Sequence, residues 1–216
     1  DIIPNKEQPR KTFDEAALQE LADSIKQHGV LQPLLVRPLT TGGYQLVAGE
    51  RRWRASRLAE LKEVPVIIKE LSDTEAMEIA IIENLQREDL NPIEEAEGLQ
   101  ALIDKCGFTQ EEVATSVGKS RPAITNALRL LRLPEEVRQM TKDGDISAGH
   151  ARALLAFDNE PMMLECAKQI VDKKLTVRDV EKMAKRPKTS KIKASGGKAR
   201  DSFYDEVELA LSDALG

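Results

Sequence analysis

The chain has 216 residues, 32% of them charged and only 3% aromatic, with a formal net charge of −5. That balance excludes a uniformly basic nucleic-acid coat while leaving room for a local basic patch. No apolar run approaches the roughly 18 residues that span a bilayer, and Cys106 and Cys166 stand alone without metal or disulfide spacing. The expectation is an aliphatic-core, mainly helical protein of a reducing, cytoplasmic compartment with no membrane partner. The sequence begins at Asp1 and stops within an apparently helical stretch, as a fragment of a longer protein would.

From Asp1 to about Leu71 strands and helices alternate. Asp14 to His28 is amphipathic through Ala17, Leu18, Leu21 and Ile25, with Asp14 as N-cap and Gly29 just past its end. Two strands are predicted over Pro33–Pro38 and Tyr44–Ala48, joined through Thr40-Thr41-Gly42-Gly43. Then comes Gly49-Glu50-Arg51-Arg52-Trp53-Arg54-Ala55, where a helix should begin because Trp53, Ala55, Leu58, Ala59 and Leu61 recur at near-helical spacing. A glycine at a strand-to-helix junction lets backbone approach a bound group closely, and a helix N-terminus attracts anions. Arginines on that first turn suit forked bonds to phosphate, although a solvated basic helix face fits the same residues.

Val64–Lys69 reads as another short strand, and Ser72 to Gln86 as a helix opened by a Ser72/Glu75 capping box. That helix ends in Glu83-Asn84-Leu85-Gln86-Arg87. An acid beside an amide oxygen is hard-cation chemistry and, with phosphate oxygens, completes a magnesium shell. Glu83 and Arg87 equally suit a plain i,i+4 surface pair.

Beyond Asn91 the pattern is helical, with starts at Asn91-Pro92, Thr109, Ser120, Pro134, Ser147 and Thr176. Eight acidic residues and one lysine lie between Glu88 and Glu112, whereas Lys119 to Arg132 holds four basic residues and no acid. Phe108 to Leu131 has the form of a helix-turn-helix: Thr109 caps the first helix, Gly118 breaks it, and Ser120 caps the second. Val113, Val117, Ile124 and Leu128 supply its contacts, with small Ala114 at the close approach. In DNA-binding versions the second helix reads bases from its N-terminal side chains. The candidates are Lys119, Ser120, Arg121, Thr125 and Asn126, with Arg121 suited to guanine, Asn126 to adenine, and Arg129 and Arg132 to phosphate. A helical hairpin with a polar face is the plainer alternative. Ser147-Ala148-Gly149-His150-Ala151-Arg152 is another capped start offering two phosphate ligands, and His150 suits that role or a packed histidine equally. Lys182 to Arg200 carries eight basic residues, no acid and Gly196-Gly197, the composition of a flexible linker.

Four ordered motifs make the chain resemble the ParB family of chromosome and plasmid partition proteins over nearly its whole length. Gln8-Pro9-Arg10, Gly29 to Leu34, Gly49 to Ala55 and Glu83 to Arg87 resemble its nucleotide-binding motifs. Gly118 to Pro122 and Ser147 to Arg152 resemble its DNA-binding part. The resemblance implies an α+β architecture: a small mixed α/β, sulfiredoxin-like nucleotide domain over 1–90, then an all-α helix-turn-helix domain over 91–185. It further implies a basic linker over 186–200 and the start of a dimerisation domain over 201–216.

By the same resemblance the chain is a CTP- and magnesium-dependent DNA clamp that recognises a palindromic centromere site, closes, slides and reopens on slow CTP hydrolysis. Arg51 and Arg52 would hold the triphosphate at Gly49, with Arg10, Gly29, Gln32, Glu50 and Arg87 completing the nucleotide shell. Asn84 would ligate magnesium, and Glu83 and Gln8 would serve hydrolysis. Arg121 would be central to site reading, with Lys119, Ser120, Thr125, Asn126, Arg129, Gly149, His150 and Arg152 around it. The implied partners are double-stranded DNA, a second copy of the chain, a ParA-type ATPase contacted by an N-terminal tail not seen in this sequence, and an SMC/condensin-type complex. A nucleoid-occlusion sibling would favour lysines in the recognition helix, which Ser120 to Ala127 lacks. A sulfiredoxin-type enzyme needs a cysteine at the phosphate loop, and none lies between Asp1 and Lys105. A small-molecule kinase of this fold, or a transcriptional regulator without nucleotide switching, remains a further alternative.

Overall fold

The computed structural model describes residues 1–4, 14–87 and 89–185. Gln8, Arg10, the linker over 186–200 and the segment 201–216 lie outside the described residues. The first half carries β1 (Ile2–Ile3), α1 (Glu15–His28), β2 (Leu34–Pro38), β3 (Tyr44–Ala48), α2 (Glu50–Leu58), β4 (Val66–Ile68) and α3 (Asp73–Leu85). Asp14 opens α1, its Oδ1 accepting from the Ala16 N–H at 3.0 Å, and Gly29 closes it in the left-handed region at φ 69°. The expected hairpin forms: β2 and β3 pair antiparallel, and the Leu39 N–H donates to the Gly43 carbonyl across the turn at 3.0 Å.

The sheet has the order β1-β3-β2-β4, with both outer strands parallel to their neighbours. β1 went unforeseen, because two residues cannot show an alternating pattern; pairing with β3 is what extends them. Leu34, Val36 and Leu46 are fully buried on one sheet face and meet Trp53, Tyr44 and Val66. A second cluster, Ala22, Ile25, Ala55 and Ala59, joins α1 to α2. Here the expected apolar stripe of α2 needs correction. Leu58 and Leu61 are 47% and 37% exposed, and the buried stripe is Ala55, Ser56 and Ala59, residues small enough to let α1 come close.

The second half is helical among its described residues: α4 (Pro92–Cys106), α5 (Gln110–Val117), α6 (Arg121–Arg129), a 3-10 turn Leu130–Arg132, α7 (Glu135–Lys142), α8 (Ala148–Leu154), α9 (Glu160–Lys173) and α10 (Val177–Lys185). The expected starts at Asn91, Thr109, Ser120, Pro134, Ser147 and Thr176 all precede helices. The start of α9 was missed, although Asn159 caps it and Pro161 sits in its first turn. Lys182 to Lys185 belongs to α10, not to a linker, because Val180 is buried and Met183 and Ala184 pack on the helical core.

α3 follows the strands in sequence but buries its apolar side among the helices. Ile81, Met77, Ile82 and Leu85 join Leu99 and Leu102 of α4, Val113 of α5 and Ile124 of α6 in one cluster. The approach is tightest at Gly98, where an added Cβ would lie 2.7 Å from Leu85 Cδ2. α3 also lies against β3, and residues Asp1–Ala184 form one compact unit.

Candidate nucleotide and nucleic-acid sites

β3 delivers the chain into Gly49, which is buried and left-handed at φ 98°, ψ 28°. A Cβ there would stand 2.9 Å from Leu34 Cδ2 and 3.2 Å from Arg52 Nη2, so both conformation and space call for glycine. Gly49 is also the N-cap of α2 and has no side chain with which to satisfy the first-turn N–H groups. α1, α3, α4, α5, α6, α8 and α9 each have a side-chain cap. α2 therefore starts as an open, positively poled turn.

The side chains of that turn divide the labour. Arg52 Nη1 donates to the Gln32 and Pro33 carbonyls at 2.7 and 2.8 Å, which ties the loop after Gly29 to the helix start. The sequence offered Arg52 as a phosphate ligand, and the structure adds this bracing role. Arg51 is exposed, with no hydrogen bond or ion pair among the described residues. Glu50 is only 8% exposed. Its Oε1 accepts from Arg54 Nε at 2.8 Å, while Oε2 is buried with no hydrogen-bond partner among the described residues. A buried carboxylate oxygen left so is costly, and it invites a donor from outside. Behind the turn, the Arg57 guanidinium lies 5.2 Å from the centre of the Trp53 ring.

At the end of α3, Arg87 Nη1 donates to Asn84 Oδ1 at 3.2 Å, while Nε and Nη2 fork onto the two Asp89 oxygens at 3.0 and 2.7 Å. Sequence reasoning missed Asp89, whose only signal was its place two residues beyond an arginine at a helix end. Asn84 Oδ1 thus faces a guanidinium, which uses one of its two lone pairs and puts a positive charge beside any cation it would ligate. No group of three or more His, Cys, Asp or Glu side chains fit to hold a metal occurs among the described residues. Glu83 is exposed beside Asn84.

α5 and α6 form the expected helix-turn-helix. Val113 and Ile124 are fully buried between them, Ala114 is nearly so, and Gly118 turns the chain at φ 69°. Thr109 and Glu112 make a capping box, and hydrogen bonds from the Thr109 N–H and hydroxyl hold the Glu112 carboxyl below the usual carboxylate range. Ser120 Oγ accepts from the Ala123 N–H, which leaves Lys119, Ser120, Arg121, Thr125 and Arg129 exposed and Asn126 half-buried. Three of them already have side-chain partners. Lys119 Nζ meets Glu95 Oε1 of α4 at 2.6 Å, Arg121 Nε stands 3.9 Å from Glu111, and Thr125 Oγ1 is 2.9 Å from Gln110 Oε1.

In α8, His150 Nδ1 accepts from the Ser147 N–H at 3.4 Å and lies 3.0 Å from Ser147 Oγ, so the ring caps its own helix. Its Nε2 is buried without a hydrogen-bond partner among the described residues. A Cβ on Gly149 would stand 3.1 Å from Val177 Cγ2, so that glycine seats α8 against α10. Arg152 is exposed. Cys106 and Cys166 are free, and burial pushes both thiols up, away from reactivity. Among the described residues no helix is long and apolar enough to cross a membrane.

Comparison with known proteins fits this arrangement. Residues 1–85 match the model of the ParB N-terminal domain, and residues 88–189 match that of the ParB HTH domain. The chromosome-partitioning protein ParB of Myxococcus xanthus is 53% identical over 98% of this chain and 71% of its own length. The crystal structure of the C-terminally truncated chromosome-partitioning protein ParB from Caulobacter crescentus, complexed to the centromeric parS site, is 46% identical. It covers 85% of this chain and 94% of its own, with a TM-score of 0.72. The structure of that truncated protein with CTP-gamma-S is 49% identical over 79% of this chain and 94% of its own, with a TM-score of 0.38.

Proposed function

The chain belongs to the ParB family of chromosome-partitioning proteins, and from that premise we propose that it reads a palindromic centromere site as a CTP-dependent DNA clamp. The DNA half of the reading is supported by likeness to the Caulobacter protein bound to parS and by the exposed start of α6. Arg121 and Asn126 would read base edges, with Lys119, Ser120 and Thr125 beside them. Arg129, His150 and Arg152 would meet phosphates, with Gly149 shaping that start.

The nucleotide half is carried by one observation: α2 begins uncapped at a left-handed glycine where a Cβ would crowd Leu34, with Arg51 exposed on its first turn. In this reading Arg51 and the α2 amides bind the triphosphate. Arg52 keeps the Gly29–Gln32 loop in place, and Glu50 Oε2 takes a donor from the ligand or its shell. Arg10 and Arg87 complete the nucleotide shell. The choice of CTP follows the family's motifs, which the chain matches at Gly49 to Ala55 and Glu83 to Arg87. Magnesium, when bound, would offset charge on the phosphates. Asn84 would be its ligand from this chain, offering the Oδ1 atom that Arg87 approaches here. Glu83 and Gln8 would orient the attacking water. With only an acid and amides available for that task, turnover is slow.

The proposed division places nucleotide chemistry in 1–90 and DNA reading in 91–185, followed by the basic linker over 186–200 and the start of a dimerisation domain over 201–216. A second copy of the chain would close the clamp, and a ParA-type ATPase and an SMC/condensin-type complex would act on it, in association with the nucleoid. Titration calorimetry with CTP and magnesium tests the nucleotide reading, with ATP as the control. Absence of heat with CTP, or equal affinity for ATP, would sink it. Glu83→Ala should bind CTP yet fail to hydrolyse it, and undiminished phosphate release would remove Glu83 from the reaction.

A further inference from the structure

The cation nearest the turn of the helix-turn-helix is already neutralised from within the chain. Lys119 stands one residue before the Ser120 cap of α6, and its Nζ lies 2.6 Å from Glu95 Oε1 on α4, twenty-four residues away in sequence. The pair is partly sheltered, with the side chains 45% and 30% exposed, unlike Arg121 and Glu111, which are 3.9 Å apart and both mostly exposed. Glu95 is fixed on a capped helix, its N–H donating to the Asn91 carbonyl, and α4 is itself wedged against α3 at Gly98. Two residues on, Glu97 points elsewhere and pairs with Lys142 of α7 at 2.9 Å.

We infer that Glu95 is a specificity-determining positioning residue: an internal counterion that occupies Lys119 and keeps it from binding arbitrary DNA phosphates. The inference rests on the proposed DNA reading of α6. Phosphate contacts supply sequence-independent affinity, so each cation withheld from them lowers binding to every sequence and leaves base contacts to decide. Glu95 plays the phosphate's part while no site is bound. Lys119 then adds nothing to the salt dependence of non-specific binding.

The test measures binding of the full chain to a scrambled duplex and to a duplex carrying the palindromic centromere site, across a salt series. Glu95→Gln should bind the scrambled duplex about two- to five-fold tighter at low salt. Its plot of log affinity against log salt should steepen by roughly 0.9, the value of one added phosphate contact. Glu97→Gln makes the same charge change on the same helix and should move neither quantity. In the double variant Glu95→Gln, Lys119→Gln the gain of Glu95→Gln should vanish. An unaltered slope in Glu95→Gln, or an equal change in Glu97→Gln, overturns the counterion while leaving site reading intact. Wild-type protein that binds neither duplex overturns the DNA reading and the counterion together.

Discussion

Two glycine turns, at Gly49 and at Gly118, each launch a nine-residue helix, and they are built in opposite ways. Gly118 sits in open space, with nothing within 4 Å of an added Cβ, and Ser120 then caps α6. Gly49 is walled in by Leu34 and Arg52, and α2 starts without a side-chain cap. At Gly118 the backbone is satisfied and the side chains are on offer. At Gly49 the backbone itself is on offer, and Arg52 and Glu50 are drawn inward to shape it. The first arrangement suits reading a surface; the second suits gripping a small anion.

Substitution at each turn should separate the two. Gly49→Ala forces a side chain into left-handed backbone and against Leu34, which should cost about 1–3 kcal/mol of stability. CTP binding should fall at least roughly ten-fold by calorimetry, the loss expected when the grip is displaced by about 1.4 kcal/mol or more. Binding of the centromere-site duplex should persist. Arg121→Ala should do the reverse, costing site binding about 1–3 kcal/mol in a fluorescence titration while CTP heats stay the same. If either variant lost both activities while its circular dichroism stayed native, the two turns would not be separate sites.

A smaller effect sharpens the boundary between the regions. Gly98→Val adds bulk where Leu85 already blocks a Cβ, and overpacking should lower stability by about 1–2 kcal/mol in urea unfolding. An unchanged midpoint would mean that α3 and α4 are not held together there. The smallest effect falls on the capped turn. Thr109→Ala should cost about 1 kcal/mol. The Glu112 carboxyl is held low by Thr109, so its contribution is complete above the ordinary carboxylate range and is lost as pH falls through the lowered value. The Thr109→Ala penalty, measured by thermal melts, should therefore shrink in acid. A penalty independent of pH would separate Glu112 from the cap.

Much of this was legible in the sequence because helix caps are local. Asp14, Ser72, Asn91, Thr109, Ser120 and Ser147 each act within three residues, and each opens the helix that its position announced. Gly49 likewise opens α2 where the recurrence of Trp53, Ala55 and Ala59 placed a helix start. What the sequence could not display was the long-range half. Nothing near Arg52 announces that its guanidinium will clasp carbonyls twenty and nineteen residues back. Lys119 and Glu95 meet only once α4 and α6 are packed. In the run Met77 to Leu85 the polar residues Glu78, Glu83 and Asn84 are spread around the helix, so the pattern does not say which face is covered or by which elements.

That allegiance of α3 has a consequence for how the molecule comes apart. Its capping box lies directly after the strands, yet its inner face sits among α4, α5 and α6. A partial opening that loosened the sheet, α1 and α2 would leave the α3 amides guarded by the helices, so they should exchange with solvent in step with α4 rather than with β2 and β3. The cooperative seam of the protein then runs before Ser72, ahead of the point where the two family models divide the chain.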